Sequence, residues 1–303
     1  MPSSELIAYQ ACFVVEDVEQ AVKFCSSELG WGPFQHFKIP SKDCRYKDWQ
    51  GDKLTEVALG MAGRSQVELI RVHQGQDSIQ RYQSSMGAGL QHLGVLCKDS
   101  AQAIELLAGA GGSMDDQNRY GEITFTFMNV PTGPSMIELL ERGEQGLPTN
   151  EEQQQGEKIG LTNASGGERM QLDRATIVTA DLEQSLAFYA HCFPAKKAGI
   201  QLETLRITDS SGLIHNTKAR RCLVNAGVLE LELVEVSSAG TDPYAKQMQR
   251  SIAHAGHGLV HVGGKAGNVS TDNNAVQGEW LNSGELFTLR TGPDARLSLQ
   301  LRH

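Results

Sequence analysis

Three segments of the chain begin with a short apolar run and continue as an amphipathic stretch: QACFVVEDVEQAVKF from Gln10, HLGVLCKDSAQAIELL from His92 and RATIVTADLEQSLAFY from Arg174. One aspartate stands between the two parts of each segment, and these residues are Asp17, Asp99 and Asp181. A short carboxylate at that point can accept hydrogen bonds from the free N–H groups of a first helical turn. Because the apolar residues that follow recur at helical spacing, each segment is predicted to form a β-strand and then a helix.

A second set of segments is rich in branched apolar residues: SQVELIRV, SMIELLER, LELELVEV and ARLSLQLR. These patterns predict strands. Between each helix and its closing strand the chain has room for two further strands, for example at 55–61 and 123–129. A fourth opening segment, HVGGKAGNVSTDNNAV, begins at His261. The chain is therefore predicted to contain four β-α-β-β-β units.

The spacing of these units indicates a duplication on two levels. Arg174 stands 164 positions after Gln10, and Glu232 stands 164 positions after Glu68. Two pairs of equivalent residues with the same sequence offset indicate that a whole domain was repeated. Within the first half, His92 stands 82 positions after Gln10, which marks the inner repeat. We predict a first domain at 1–143, a polar linker rich in Gly, Gln and Glu at 144–170, and a second domain at 171–303.

Composition narrows the function classes. The formal net charge of −9 and the pI near 5.5 argue against a nucleic-acid or anionic-membrane surface, which would need a basic patch. No apolar run approaches the roughly 20 residues that span a bilayer, and the first residues do not have the pattern of a secretion signal. The six cysteines form no CxxC pair and read as reduced core thiols. These features predict a cytoplasmic protein.

The candidate chemistry lies in the opening and closing strands. Alternate residues of a strand share a face, so Glu138 lies beside Met136 and Leu140, and Glu68 lies beside Ile70. A carboxylate among apolar neighbours is costly to bury unless it is paired, protonated or bound to a metal. One such glutamate alone would be read as part of a solvated strand face. Repetition at equivalent positions of the units instead favours a site.

On these residues the chain resembles the vicinal oxygen chelate superfamily, which includes glyoxalase I, methylmalonyl-CoA epimerase, bleomycin-resistance proteins and extradiol dioxygenases. The resemblance implies an α+β fold of two domains, each made of paired βαβββ units that form a cupped sheet. It also implies one metal held by the first and last strands of each unit. At those positions the sequence has Gln10 in AYQACFVVED, Glu68 in SQVELI, His92 in GLQHLGVLCKD and Glu138 in SMIELLE, a set similar to that of glyoxalase I.

The chemistry of this ligand set agrees with the resemblance. Two carboxylates, an amide oxygen and an imidazole suit a six-coordinate divalent ion such as Zn²⁺, Ni²⁺, Co²⁺, Mn²⁺ or Fe²⁺. Such an ion stabilises the charge that develops when a carbon next to a carbonyl loses its proton. Glu138 is preferred as the base and Glu68 is the alternative. The expected activity is that of a lyase, isomerase or epimerase on a small oxygenated molecule.

The second half departs from the pattern. Its lead residue is Arg174, a cation that cannot ligate a metal, although Glu232 and His261 are retained. Its last position falls near Ser298 or Gln300, where no carboxylate stands. We expect no catalytic metal in this half, and we predict that Arg174 pairs with Glu232 in place of the ion.

Two alternatives stay open at this point. A metal-free small-molecule binding or resistance protein would keep the cupped sheet and lose the ligands. A ring-cleaving dioxygenase would need two histidines and one carboxylate, and this reading is weakened by Gln10 and by the second carboxylate. In every reading the partner is a small molecule, with neither nucleic acid nor membrane expected, and a homodimer stays open.

Overall fold

The computed structural model of the chain describes residues 6–120, 123–131, 133–141, 157–159, 171–193, 199–208, 214–236, 258–265, 276–281, 284–290 and 296–302. The first unit has the predicted order of strand, helix and three strands: β1 (Ile7–Val14), α1 (Val18–Phe24), β2 (Phe34–Tyr46), β3 (Trp49–Ala62) and β4 (Ser65–Gln74). A π-helical turn, Cys25–Leu29, extends α1. The second unit follows one additional helix: α2 (Ser78–Met86), β5 (Gly89–Cys97), α3 (Ser100–Gly109), β6 (Ser113–Tyr120), β7 (Ile123–Val130) and β8 (Gly133–Glu141).

Among the described residues, the second half has eight strands in the order of the first half and the helix that follows its first strand, and a short strand precedes them. Its described elements are β9 (Glu157–Ile159), β10 (Arg174–Thr179), α4 (Leu182–Cys192), β11 (Gln201–Thr208), β12 (Ile214–Asn225), β13 (Glu230–Val236), β14 (Gly258–Lys265), β15 (Val276–Leu281), β16 (Gly284–Arg290) and β17 (Arg296–Arg302). The helix expected within the segment that opens at His261 lies outside the described residues.

The predicted helix starts are confirmed in the three segments that define them. Asp17, Asp99 and Asp181 have extended backbones, and each side chain accepts a hydrogen bond from the backbone N–H three residues later, at 2.9, 3.0 and 2.8 Å. This bond satisfies one of the N–H groups that a helix leaves without a partner at its start. The same local sequence therefore produces the same turn from strand to helix in both halves.

The strands form two sheets. Among the described residues, the first sheet has the order β6-β7-β8-β5-β1-β4-β3-β2-β9, and β1 and β5 join its two units in antiparallel fashion. The second sheet closes into a barrel in the order β10-β13-β12-β11-β15-β16-β17-β14. These sheets confirm the α+β class with curled sheets built from paired units.

The two faces of the first sheet have different roles. Ala11 and Phe13 of β1 point into a large apolar core with α1 and α3, whereas Cys12 and Val14 point to the concave face. Both faces of β1 are thus buried, which explains its nearly continuous apolar sequence. The concave face is the one that carries Glu68 and His92, because alternate residues of a strand share a face.

The halves are packed together. The large apolar core includes Leu172, Ala175 and Ile177 of the second half as well as residues of the first. Backbone bonds add to this contact, since the Ala8 N–H donates to the Ala226 carbonyl at 2.6 Å and the Leu172 N–H donates to the Ala62 carbonyl at 3.0 Å. Within the described ranges, the structure offers no helix with the length and apolar character that a membrane crossing requires.

The segment predicted as a linker, 144–170, lies outside the described residues apart from β9. This short strand pairs with β2, so part of the segment belongs to the first sheet. Its polar composition does not predict a strand. The domain limits at 143 and 171 therefore stay predictions.

Candidate metal centre

Four adjacent strands, β4, β1, β5 and β8, bring the predicted ligands to the concave face. Cys12 on β1 pairs with Glu68 on β4 and with His92 on β5. One step along the strands, Gln10 pairs with Gly94 on β5, and Gly94 in turn pairs with Glu138 on β8. The pairing is symmetric: Gln10 is related to His92, and Glu68 to Glu138, as expected for two copies of one unit.

The side chains of these residues converge inside the cup. His92 Nε2 lies 3.3 Å from Glu68 Oε2 and 3.3 Å from Glu138 Oε2. His92 is fully buried, and Glu68 and Glu138 are only 8% and 5% exposed. In a six-coordinate site with ligands about 2.1 Å from the ion, neighbouring ligand atoms lie about 3 Å apart. The observed spacing matches that geometry.

Unsatisfied atoms test whether a cation fits here. Gln10 Oε1, Glu68 Oε2 and His92 Nε2 are buried, and none of them forms a hydrogen bond with the described residues. Buried polar atoms without a partner are uncommon, and several at one point require an explanation. His92 Nε2 and Glu68 Oε2 lie 3.3 Å apart without hydrogen-bond geometry, and a divalent cation between them would be coordinated by both atoms. The residues present therefore fit the ion that the ligand set implies.

Gln10 and Cys12 share this face, and Cys12 is the residue of β1 that pairs with His92. The Gln10 amide donates from Nε2 to Gln66 Oε1 at 2.8 Å, and its Oε1 lies over Gly94, where any Cβ would collide with it. The Cys12 thiol, Glu68 and His92 offer donor atoms that all lie within 4.8 Å of one another. Sequence reasoning missed Cys12 because an apolar run makes a cysteine look like ordinary core, although its place two residues after Gln10 puts it on the same face.

A β-bulge explains the orientation of His92. Cys12 pairs with His92 and Phe13 pairs with Leu90, so Gln91 is the extra residue on β5. A bulge changes the direction of the side chains around it. The Gln91 amide oxygen accepts a hydrogen bond from His92 Nδ1, and its amide nitrogen contacts Met136 Sδ at 3.0 Å. With Nδ1 in that bond, Nε2 is the nitrogen that faces the two glutamates.

The electrostatics follow from burial beside two carboxylates. Burial alone lowers the pKa of His92, but Glu138 and Glu68 together raise it to about 9. Burial raises the pKa of Glu138, while His92 lowers it. Burial, and then the two glutamates, raise the pKa of the Cys12 thiol well above its usual value. Without a metal, this centre favours added protons, because negative charge is concentrated where water is excluded.

A cavity of about 560 Å³ opens onto the centre, and Glu68 and Glu138 lie on its wall. This volume is in the usual range for small-molecule sites. The apolar lining is provided by side chains of four strands and α2, namely Ile39, Val57, Ile70, Ile79, Phe125 and Phe127. Phe127 also packs edge-to-face against the His92 ring, with centroids 5.3 Å apart. The cavity therefore connects the centre to the outside along an apolar passage.

The second sheet repeats the register with different side chains. Thr176 pairs with Glu232 and His261, as Cys12 pairs with Glu68 and His92. Gly263 pairs with Gln300, as Gly94 pairs with Glu138, so Gln300 rather than Ser298 is the equivalent of Glu138. Arg174 Nη1 lies 3.4 Å from Glu232 Oε1, which confirms the predicted pair.

Comparison with known proteins gives the family of the first half. Residues 9–141 match the model of the Glyoxalase/Bleomycin resistance protein/Dioxygenase superfamily. No curated protein is similar enough in sequence to be matched.

Solved structures with a similar fold extend over the whole chain. A mutant of 4-hydroxymandelate synthase from Streptomyces coelicolor superposes with a TM-score of 0.62 at 17% identity, covering 100% of this chain and 94% of that one. A hypothetical protein from Staphylococcus aureus gives 0.52 at 8% identity, covering 98% and 99%. A xylose isomerase-like TIM barrel/4-hydroxyphenylpyruvate dioxygenase fusion protein gives 0.50 at 15% identity, covering 100% and 50%. The fold is thus shared along the full length, and residues 9–141 of this chain form a domain of the Glyoxalase/Bleomycin resistance protein/Dioxygenase superfamily.

Proposed function

We propose that the first domain is a divalent-metal-dependent lyase, isomerase or epimerase that moves a proton next to a carbonyl of a small oxygenated substrate. The main support for this proposal is a group of buried atoms at the end of a cavity that are able to coordinate a metal. Several of these atoms have no hydrogen-bond partner among the described residues. Gln10, Glu68, His92 and Glu138 would hold the ion, with Cys12 beside them. A bound divalent ion supplies Lewis-acid chemistry, since it stabilises the negative charge that develops on vicinal substrate oxygens.

The residues of the chain supply the rest of the reaction. Glu138 is the proposed base, and Glu68 is the second candidate, because both carboxylates line the cavity. A base must reach the proton that it removes, and the two glutamates lie on opposite sides of His92, so each would reach a different side of the bound carbon acid. Phe127 and its apolar neighbours exclude water around the charge, which strengthens every electrostatic contact.

Metal content and proton exchange test the proposal. Purified protein is expected to hold about one divalent ion per chain, and His92→Ala and Glu138→Ala to lose it. The metal-loaded protein is incubated in D₂O with a panel of hemithioacetals, acyl-CoA thioesters and 2-hydroxy ketones. It should exchange a carbon-bound hydrogen of one of these compounds for deuterium, and proton NMR measures the exchange. Clean protein without metal that still binds small apolar molecules would instead support a metal-free binding protein.

A ring-cleaving or related dioxygenase is the second candidate function. The superfamily whose model matches residues 9–141 has dioxygenase in its description, and one structure of similar fold has 4-hydroxyphenylpyruvate dioxygenase in its name, which favours this candidate. Against it, the converging donors comprise one histidine and two glutamates, whereas the usual non-haem iron site has two histidines and one carboxylate. Oxygen uptake by the Fe²⁺-loaded protein with catechols and aryl 2-oxo acids separates the two candidates, since proton transfer consumes no oxygen.

The surroundings proposed for this activity are cytoplasmic. Five of the six cysteines are buried thiols, which agrees with a reducing compartment. A homodimer stays a prediction, and light scattering of the purified chain measures it directly.

A further inference from the structure

One cavity-lining hydroxyl has no hydrogen-bond partner in the part of the chain that the structure describes. Thr55 on β3 is only 6% exposed and lines the cavity, yet its Oγ1 forms no hydrogen bond with the described residues. Its cross-strand partners are Ile39 on β2 and Val72 on β4, which are apolar. A buried hydroxyl without a partner is costly. In a cavity wall, the expected partner is a group of the bound ligand.

A cation lies next to this hydroxyl on the same strand. Lys53 stands two residues before Thr55, on the same face of β3, and it also lines the cavity. Its side chain is 11% exposed, and its Nζ donates to Asp77 Oδ2 at 3.0 Å and to Asn118 Oδ1 at 3.3 Å. An ammonium has three donors, so these two bonds leave one more for a ligand.

The two donors are well separated from the metal centre. Leu59 on β3 pairs with Glu68, and Thr55 lies four residues further along the strand. At 3.3 Å per residue, the two positions are roughly 13 Å apart. The wall between them is formed by Val57, Ile70 and the Phe125 and Phe127 rings. The passage thus has candidate metal ligands at one end, apolar side chains in the middle and hydrogen-bond donors at the other end.

Charge at the outer end favours an anion. Three basic residues line this part of the cavity, Lys42, Arg45 and Lys53, against two acidic ones, Asp43 and Asp77. Lys42 and Arg45 are exposed, so their contribution is screened by solvent. The buried pair of donors therefore provides the specific contact, and the exposed cations only add attraction over distance.

We propose that Thr55 and Lys53 form a subsite for an anionic oxygen, such as a carboxylate, at the far end of an elongated substrate. The substrate then has three parts: vicinal oxygens that chelate, an apolar ring-sized segment, and an anionic end. The chelating part rests on the proposed function, whereas the anionic subsite rests on Thr55, Lys53 and the length of the cavity.

Paired probes test the subsite. The full chain is loaded with Co²⁺ and titrated calorimetrically with 3-(4-carboxyphenyl)propanohydroxamic acid and with 3-(4-methylphenyl)propanohydroxamic acid, which differ only at the far end. The carboxylated probe should bind about tenfold more tightly or better, as expected for one charge-assisted hydrogen bond. Thr55→Val should abolish most of this difference, and Thr55→Ser should retain it. The visible spectrum of Co²⁺ reports separately whether the hydroxamate reaches the ion.

The outcomes separate the two proposals. Equal affinities of the two probes for the unaltered protein, or a preference that survives in Thr55→Val, overturn the subsite and leave the metal centre standing. A preference for the carboxylated probe that is present with and without Co²⁺, while the Co²⁺ spectrum never changes, supports the subsite and overturns the chelating role. Thr55→Val should unfold at the same temperature as the unaltered protein or higher, because it removes a hydroxyl that has no partner.

Discussion

The centre of the first sheet and its equivalent in the second share a register and differ in how they compensate a buried glutamate. Glu68 and Glu232 stand at the same place, each paired with the middle of the first strand of its half. Glu68 Oε2 has no hydrogen-bond partner among the described residues, and the basic group beside it is His92 Nε2 at 3.3 Å, which it shares with Glu138. Glu232, in contrast, accepts a hydrogen bond from Thr176 Oγ1 at 2.8 Å and has the Arg174 and Arg221 Nη1 atoms each 3.4 Å away.

The difference shows two solutions to one physical problem. A buried carboxylate needs positive charge or hydrogen-bond donors nearby. In the second sheet the chain supplies them itself, from the guanidinium groups of Arg174 and Arg221. In the first sheet the position of Arg174 is occupied by Gln10, whose amide oxygen adds another acceptor. The first centre therefore has one imidazole for two buried carboxylates and fits a further cation from outside, whereas the second centre has two guanidinium groups beside Glu232.

The largest expected effect is the loss of stability when the metal is removed. A ligand that binds only the folded chain, at a free concentration 1,000 times its dissociation constant, stabilises it by about 4 kcal/mol. Chelation by EDTA should therefore lower the free energy of unfolding by about this amount, measured in urea at fixed metal concentration.

Two variants locate this effect. His92→Ala should unfold at the same urea concentration with and without EDTA, because it lacks the ligand that contacts both glutamates. Glu232→Gln should respond to EDTA as the unaltered protein does. An EDTA response that disappears in Glu232→Gln would move the metal to the second sheet and reverse the comparison.

The second effect concerns the internal cation. Arg174→Met should lower the free energy of unfolding by about 2 kcal/mol, because it removes one of the two guanidinium groups beside the buried Glu232 and leaves Arg221 and Thr176 as its partners. Adding Glu232→Gln should recover most of that loss, as a double-mutant cycle in urea would measure. The matched variant Gln10→Met should cost no more than about 1 kcal/mol in metal-free protein. Equal losses at both positions would contradict the idea that Arg174 compensates Glu232 in a way that Gln10 does not compensate Glu68.

A smaller effect is expected from the residue that orients the histidine. Gln91→Leu removes the acceptor for His92 Nδ1, and loss of such a contact typically weakens metal binding 10- to 100-fold. Competition with a coloured chelator measures this affinity. Gln117→Leu changes another cavity-lining amide, which bonds Thr126 instead of a ligand, and its metal affinity should be unchanged. A similar loss in both variants would point to a general change in the cavity and not to the orientation of His92.

The repeat can be recognised in the sequence because two regular spacings are present: the constant offset between the two halves and the alternation of side chains along each strand. The offset of 164 positions from Gln10 to Arg174 and from Glu68 to Glu232 predicted the repeated domain. The set Gln10, Glu68, His92 and Glu138 was instead implied by the resemblance to a known family. The role of Gln91 could not be predicted, since a bulge depends on the register between β1 and β5 and leaves no mark in one strand's sequence.

Other features were predictable in principle. Asp77 accepts a hydrogen bond from the Gln80 N–H and begins α2, which ends before Gly87, so the usual signals of a helix start and end were present. The cavity wall was not predictable, because Thr55 meets Phe125 and Phe127 only when the two units curl around a common centre. Local patterns thus predict the elements, and the shape of the cavity depends on how strands distant in sequence are assembled.

The smallest effect concerns Asp115, a third carboxylate that has basic partners in its own chain. It tests whether the contrast between Glu68 and Glu232 also applies elsewhere in the molecule. Asp115 accepts hydrogen bonds from Tyr46 at 2.9 Å and Arg81 at 3.2 Å, and Lys47 lies 3.5 Å away. Burial raises the pKa of Asp115, but Tyr46, Arg81, Asn129 and Lys47 together lower it below its ordinary value. A pKa lower in the folded chain than in the unfolded chain adds stability above about pH 4, and that stability is lost as the pH falls through the folded value.

Asp115→Asn should therefore lower the free energy of unfolding at pH 7 by about 1 kcal/mol, a modest figure because Arg81 and Lys47 are half exposed and screened. At pH 3 the difference between the variant and the unaltered protein should shrink, as urea unfolding at both pH values would measure. Both measurements are made with EDTA, so the metal centre does not contribute. A difference that grew on acidification would mean that the basic partners do not compensate Asp115, and the contrast between internally and externally compensated carboxylates would then be confined to Glu68 and Glu232.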